Sequence, residues 1–231
     1  MKVCEDYIME SKITTKKNNV RESREDGNVT KARLIETAGQ LIAKQGYEKT
    51  TSKEICQLSK VNLAAINYHF GSREGLYRAV LHQVHQQLLS TEELDVLQDE
   101  HKTPAEKLDY FLDMLTKMVQ HEENWAIRVW IREITSPSPL AEQVVREEAV
   151  PMKLNLLLNL LHEYTGLPME STQLHGCLAC MLAPFVWYLL LNSKEVANLR
   201  KIVPIHYEDK GLPEQFKAFV MGGLAVARST V

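Results

Sequence analysis

Residues 50–76, TTSKEICQLSKVNLAAINYHFGSREGL, constrain this chain more than any other stretch, because they spell helix, turn, helix and the start of a third helix within 27 positions. Thr51, Ser52, Lys53 and Glu54 form a capping-box pattern: the Thr51 hydroxyl accepts from the Glu54 N–H, and the Glu54 carboxylate is expected to reach back to the Thr51 N–H. Ile55 and Leu58, three apart, give that helix one apolar face, and Ser59, Lys60 and Asn62 interrupt the pattern. Asn62 is placed to cap a second short helix in which Ile66 and Phe70 face inward. Gly71 and Ser72 end it, and Arg73 opens the next.

The outward residues of the second helix suit a DNA groove. Asn67 can pair an adenine edge, Leu63 or Ala65 can meet a thymine methyl, Tyr68 and His69 can reach phosphates, and Ala64 belongs to the same candidate set. Free N–H groups at the start of the third helix attract an anion, and the Arg73 guanidinium adds a charge there. Thr51, Ser52 and Lys53, beside the opposite end of the reading helix, complete the candidate contact set with Asn62. An ordinary three-helix core with a polar surface satisfies the same pattern, so further residues are needed to decide.

Those residues resemble the TetR/AcrR family of bacterial transcriptional regulators. The likeness runs from about Thr30 to Leu81: Gly46 and Tyr47 at the end of a first helix, Thr50 to Ser52, Ile55, Val61, the run Ile66 to Phe70, then Arg73 and Leu76. Three positions depart from the family pattern. Lys60 stands at the usual turn glycine, Asn67 where an aromatic is common, and Gly75 early in the fourth helix. The resemblance implies an all-α fold, with a three-helix DNA-binding domain followed by a larger helical domain that binds a ligand and dimerises.

Charge supports the division. Residues 1–28, 29–78 and 79–231 carry balances of 0, +4 and −7, so the overall −3 conceals a basic segment where DNA would lie. The expected organisation is a flexible arm over 1–28, a helix-turn-helix domain over 29–78 and the ligand and dimerisation domain over 79–231. Within the second, Thr30 is expected to cap a helix carrying Leu34, Ala38 and Leu41.

Beyond the head, Leu76, Val80, Val84 and Leu88 form the stripe of a fourth helix running to about residue 90, followed by a polar link over 90–103. Pro104 begins a helix to about Gln120, and another runs over 124–135. Ser136 to Pro139 break the chain; a helix over 140–164, kinked at Pro151, is expected next, ended by Gly166 and Pro168. Arg132 and Glu133 followed by Ser136, Pro137, Ser138 and Pro139 resemble a subgroup of TetR regulators of the YbiH/CecR type.

An effector pocket is expected among these helices, with Met114, Met118, His121, Trp125, Arg128 and Trp130 as candidate lining: thioether and aromatic surface for an apolar body, two polar groups for orientation. Core packing explains the same residues. The final helices, over 171–192 and 213–228, are apolar enough to form a homodimer interface, with Leu182, Phe185, Trp187, Leu189 and Phe219 as bulk and Gly222 and Gly223 allowing close approach. The family builds a four-helix bundle from two subunits in this region.

Cys177 and Cys180, three apart and near His175, allow a redox- or metal-sensing alternative on the same scaffold, although small buried residues explain them too. No metal or cofactor is otherwise called for. Four cysteines make no disulfide framework, the chain carries no signal-peptide pattern, and the apolar run 177–191 is shorter than a bilayer span, so a cytoplasmic protein without a membrane partner is expected. No phosphate-binding glycine loop, nucleophile elbow or acid pair suggests an enzyme. The expected partners are double-stranded operator DNA, a second copy of the chain and an unidentified small-molecule effector. The expected activity is that of a repressor released from a pseudo-palindromic operator by its inducer.

Overall fold

The computed structural model describes residues 26–121, 124–147, 150–193 and 211–229, and among these it contains helices and no strand. The first helix, α1, is described over 26–45. There follow α2 (Ser52–Ser59), α3 (Ala64–Phe70), α4 (Arg73–Leu88), α5 (Thr91–Gln98), α6 (Pro104–Gln120), α7 (Trp125–Thr135), α8 (Pro139–Glu147), α9 (Val150–Thr165), α10 (Thr172–Asn192) and α11 (Leu212–Ser229). The chain divides into two compact units between Val80 and Leu81.

The N-terminal unit is built on Leu34, Ala38, Leu41 and Ile42 of α1, Ile55 and Cys56 of α2, Ile66 of α3, and Leu76, Tyr77 and Val80 of α4, all buried. Thr30 lies inside α1 and does not cap it, since the helix is already present at residue 26. Of the expected N-terminal arm, residues 26–28 belong to this helix and 1–25 lie outside the described residues. The buried face of α2 is Ile55, Cys56 and Ser59, whereas Leu58 is 60% exposed. Ile55 therefore pairs with a residue four positions on, whose hydroxyl returns to the Ile55 carbonyl at 2.8 Å.

The C-terminal unit centres on α6, α9, α10 and α11, which pack against one another, with α5 on α6 and α8 on α9. Leu108, Phe111, Leu112, Leu115 and Val119 line the inner face of α6, as their spacing predicts. Thr103 and Glu106 form a complete capping box, and Pro104 occupies the first turn, where its missing N–H costs nothing. The supposed polar link contains α5, started by a second capping box between Ser90 and Glu93 and anchored by buried Leu97. The helix expected over 140–164 with a kink at Pro151 is described as α8 to Glu147 and α9 from Val150, with 148–149 outside the described residues, and Pro151 lies in the first turn of α9, where its missing N–H costs nothing. α11 is tied to α6 by Lys217, which bridges Asp109 at 2.8 Å and also Asp113.

α10 runs for 21 residues and is long and apolar enough to cross a membrane by length and composition alone, a property it shares with helices buried in a protein core. Only 33% of its most apolar window is buried within the subunit. Its inner face is Leu174, Met181, Phe185, Tyr188, Leu189 and Leu191.

Candidate nucleic-acid interface

Local chemistry sets α2 and α3 at their angle. Gly46 ends α1 with φ +84°, and Thr50, 1% exposed, donates from its hydroxyl to the Gly46 carbonyl at 2.8 Å. The Thr51 hydroxyl accepts from the Glu54 N–H at 3.2 Å, half of the expected capping box. The Glu54 carboxylate does not close it; instead it accepts from Gln45 Nε2 at 2.9 Å, fastening α2 to α1. Lys60 ends α2 in the left-handed region, φ +55°, a conformation that glycine adopts without strain and other residues rarely do. Asn62 Oδ1 accepts from the Ala64 N–H at 3.0 Å and caps the start of α3.

On α3, Ile66 is buried and Phe70 half-buried, leaving Leu63, Ala64, Asn67 and Tyr68 exposed, with Tyr68 84% exposed. Ala65 and His69 are half-buried, at the margins of that face. The His69 ring stands edge-on to Tyr68 at 4.9 Å. Thr51 and Lys53 are exposed on the first turn of α2, and Ser52 is half-buried between them. Of the expected set, Thr51, Lys53, Asn62, Leu63, Ala64, Asn67 and Tyr68 are exposed, and Ser52, Ala65, His69 and Arg73 are half-buried.

Arg73 does not extend outward. Its guanidinium lies 4.1 Å over the Tyr47 ring and donates to the Tyr47 carbonyl, which binds it to the turn between α1 and α2. The Ser72 hydroxyl accepts from the Gly75 N–H at 3.0 Å and caps α4. Gly75 is required by a close approach: a Cβ there would stand 2.0 Å from the Phe70 carbonyl oxygen. The sequence departure at Gly75 thus has a steric reason.

In the C-terminal unit an open groove of about 1240 Å³ lies at the end of α4 and along α5, α6 and the start of α7. Met114, Met118 and His121 line it as expected. Trp125, Arg128 and Trp130 do not: Trp125 is buried, and Trp130 packs on the core. The reason is helical phase, since α7 turns Trp125, Ala126, Ile127, Val129 and Ile131 inward and only Ile127 reaches the groove. Residues not anticipated are Gln87 and Leu88 from α4, Glu93 from α5, Tyr110, Asp113, Lys117 and Gln120 from α6, and Asn124. The signal available for Lys117 was its place on α6 between Met114 and His121, within one helical face.

A smaller apolar groove of about 440 Å³ runs between α10 and α11, lined by Cys177, Cys180, Met181, Phe219, Gly223 and Val226 among others. Of the residues expected at a dimer interface, Phe219 is 79% exposed, Trp187, Gly222 and Gly223 are exposed, and Leu182 is half-buried. Phe185 and Leu189, expected at the same surface, turn into the subunit core instead. Both cysteines are free thiols; burial pushes the Cys177 thiol up, and neighbouring Cys180 adds to the effect. The His175 ring is engaged through Nδ1 with the Ser171 carbonyl at 2.9 Å, and no cluster of three metal-ligating side chains occurs among the described residues.

Comparison with known proteins agrees with this layout. Residues 34–80 match the family described as bacterial regulatory proteins, tetR family, and residues 104–199 match the C-terminal domain of the HTH-type transcriptional dual regulator CecR. A probable HTH-type transcriptional regulator, ArpR of Pseudomonas putida, is 35% identical over 85 residues, 34% of this chain and 40% of that protein. A probable HTH-type transcriptional regulator, YttP of Bacillus subtilis, is 27% identical over 117 residues, 50% of this chain and 56% of that protein. The matches thus span about half the length of these relatives, or less. A solved TetR-like transcriptional regulator from Rhodococcus sp. RHA1 has the same fold, with TM-score 0.61 over 85% of this chain and 96% of that one, at 15% identity. Matched by the tetR-family model over 34–80 and by the CecR C-terminal model over 104–199, the chain belongs to the TetR/AcrR family of helix-turn-helix transcriptional regulators.

Proposed function

We propose that the protein is a ligand-responsive repressor that binds a pseudo-palindromic operator as a homodimer and is released by a small-molecule inducer. The observation that carries this reading is the exposed face of α3, where Leu63, Ala64, Asn67 and Tyr68 project from a helix that starts at the Asn62 carboxamide and stops at Gly71, whose N–H returns to the Asn67 carbonyl. Asn67 would read an adenine edge, Leu63 and Ala64 would meet thymine methyls, and Lys53 and Tyr68 would contact phosphates.

Dimerisation would use the outer side of α10 and α11. Trp187, Phe219 and Val226 are exposed beside Gly222 and Gly223, an apolar surface of the kind a second copy covers. The effector would occupy the groove that holds Met114, Met118 and His121, and because Gln87 and Leu88 of α4 line it too, occupancy would bear on the helix that begins at Arg73. Coupling of about 1–3 kcal/mol between effector and operator is the usual range for such a device. A protein reading operators works in the cytoplasm.

The test is operator affinity against salt. Six to eight neutralised phosphates per dimer predict a log–log slope of about −5 to −7. A flat response refutes the reading. Phe219→Glu should leave a monomer in sedimentation and lose operator binding; an intact dimer would remove α11 from the interface. The cysteine-sensor alternative has weaker support, because a thiol with a raised pKa is a poor nucleophile and His175 is held elsewhere.

A further inference from the structure

The residue that opens α4 was expected to offer its charge to DNA, yet its surroundings describe another task. The Arg73 guanidinium carbon lies 4.1 Å from the centre of the Tyr47 ring, and Nη2 donates to the Tyr47 carbonyl. The Arg73 Nε is buried without a partner. The Tyr47 ring also stacks on Tyr77 of α4 at 4.2 Å and 12°, and Tyr77 is 1% exposed. The Tyr47 carbonyl accepts a second bond, from the Thr50 N–H at 3.1 Å.

Two turns are joined by this arrangement. Tyr47 and Thr50 belong to the connection that delivers α2, and Arg73 belongs to the first turn of α4, immediately after α3. Holding these two points together fixes both ends of the segment that contains α2 and α3. A planar guanidinium can stack on a phenol ring and donate to a carbonyl at once, whereas an ammonium cannot reproduce that fork. Leaving Nε unpaired in the interior carries a cost, which the stack and the carbonyl bond must offset.

We propose that Arg73 is a positioning residue for DNA reading, holding the α1–α2 turn against α4 so that α3 presents its outer face in one orientation, and that it is not a phosphate contact. The proposal rests on α3 being the reading helix. It separates two kinds of loss. A phosphate contact contributes equally to every sequence and to the salt slope; a positioning residue contributes to the preferred sequence and leaves the slope alone.

The experiment uses the full-length protein, an operator fragment selected from genomic DNA, and a random duplex of equal length. Affinities are measured across a salt series for the wild type, Arg73→Lys, Arg73→Gln and Tyr47→Leu. Arg73→Lys and Tyr47→Leu are each expected to weaken operator binding by about tenfold or more, with the salt slope unchanged and random-duplex affinity held within about threefold. Tyr47→Leu keeps the charge of Arg73, so it remains decisive if Arg73→Gln does not fold. The proposal is overturned if Arg73→Lys retains wild-type operator affinity, if Arg73→Gln lowers the slope by about one and weakens both duplexes alike, or if Tyr47→Leu leaves operator affinity intact. Equal binding of both duplexes by the wild type would instead sink the regulator reading itself, whatever the variants do.

Discussion

Replacing Gly75 by alanine should destabilise the N-terminal unit, although the same change inside a helix ordinarily stabilises by about 1 kcal/mol. The site is the third residue of α4, and the alanine Cβ would stand 2.0 Å from the Phe70 carbonyl oxygen and 3.2 Å from its carbon. Carbon–oxygen contacts start at about 3.3 Å, so the end of α3 must retreat from α4 by roughly 1.3 Å. Both clashing atoms are backbone, and neither can rotate aside. Overpacking of this kind costs about 1–3 kcal/mol, and a backbone-on-backbone clash belongs at the upper end. After the propensity gain, a net loss of about 1–2 kcal/mol is expected. Urea unfolding followed by a probe in the N-terminal unit measures it: with a slope of about 1–2 kcal/mol/M, the midpoint should fall by roughly 1 M. Because the retreat moves the reading helix, operator affinity should fall as well, even where the variant is fully folded. A variant as stable as the wild type would refute the close approach.

Other expectations follow from single residues. Lys60→Gly should raise stability by about 0.5–1 kcal/mol, since it relieves a left-handed residue that costs about 1–2 kcal/mol while giving back part of the gain as unfolded-chain entropy; equilibrium unfolding checks it. Asn67→Ala should relax base preference at one operator position by about 1–3 kcal/mol, and competition with single-base operator variants locates that position. The half-buried His85 is held below its ordinary 6.5 by burial, then by Lys153, then by His82. Its neutral form is the one the fold favours, so its contribution is complete above pH 6.5 and is lost as pH falls through the lowered value. Stability of the C-terminal unit should therefore drop on acidification, and His85→Gln should flatten that part of the profile. Lys153 donates to the carbonyls of His85 and Leu89 at 2.8 Å each, so Lys153→Met should loosen the end of α4, read as faster amide exchange there.

The helix-turn-helix was legible because its signals are local. The Thr51 and Ser72 hydroxyls, the Asn62 carboxamide, and Gly46 and Gly71 mark the ends of helices within two or three residues of themselves, and the structure keeps all of them. The same was true of α6, where capping box, proline and apolar stripe agree. Side-chain direction was less legible. Ile55 could have paired with Leu58 or with Ser59, and neighbouring helices, not α2 itself, decided that Leu58 faces outward. Arg73 turned inward because Tyr47, 26 positions earlier, offered both a ring and a carbonyl. The tryptophans of α7 suggested a pocket by their chemistry, but the phase of the helix gave them to the core. α5 escaped because eight residues carry too short a stripe to stand out, although Ser90 and Glu93 already spell its capping box.

Whether α3 reads DNA decides the function most directly. Purified full-length protein should be mixed with fragmented genomic DNA from its source, at a salt concentration that suppresses non-specific binding, and the retained fragments sequenced. Enrichment of a few sites sharing an inverted repeat is expected, with half-sites about one helical turn, roughly 34 Å, apart, and in Asn67→Ala the same repeat with base preference relaxed at one position of each half-site. Retention of fragments without a shared sequence, or an enriched repeat that Asn67→Ala and Tyr68→Ala leave unchanged, would contradict that role for α3.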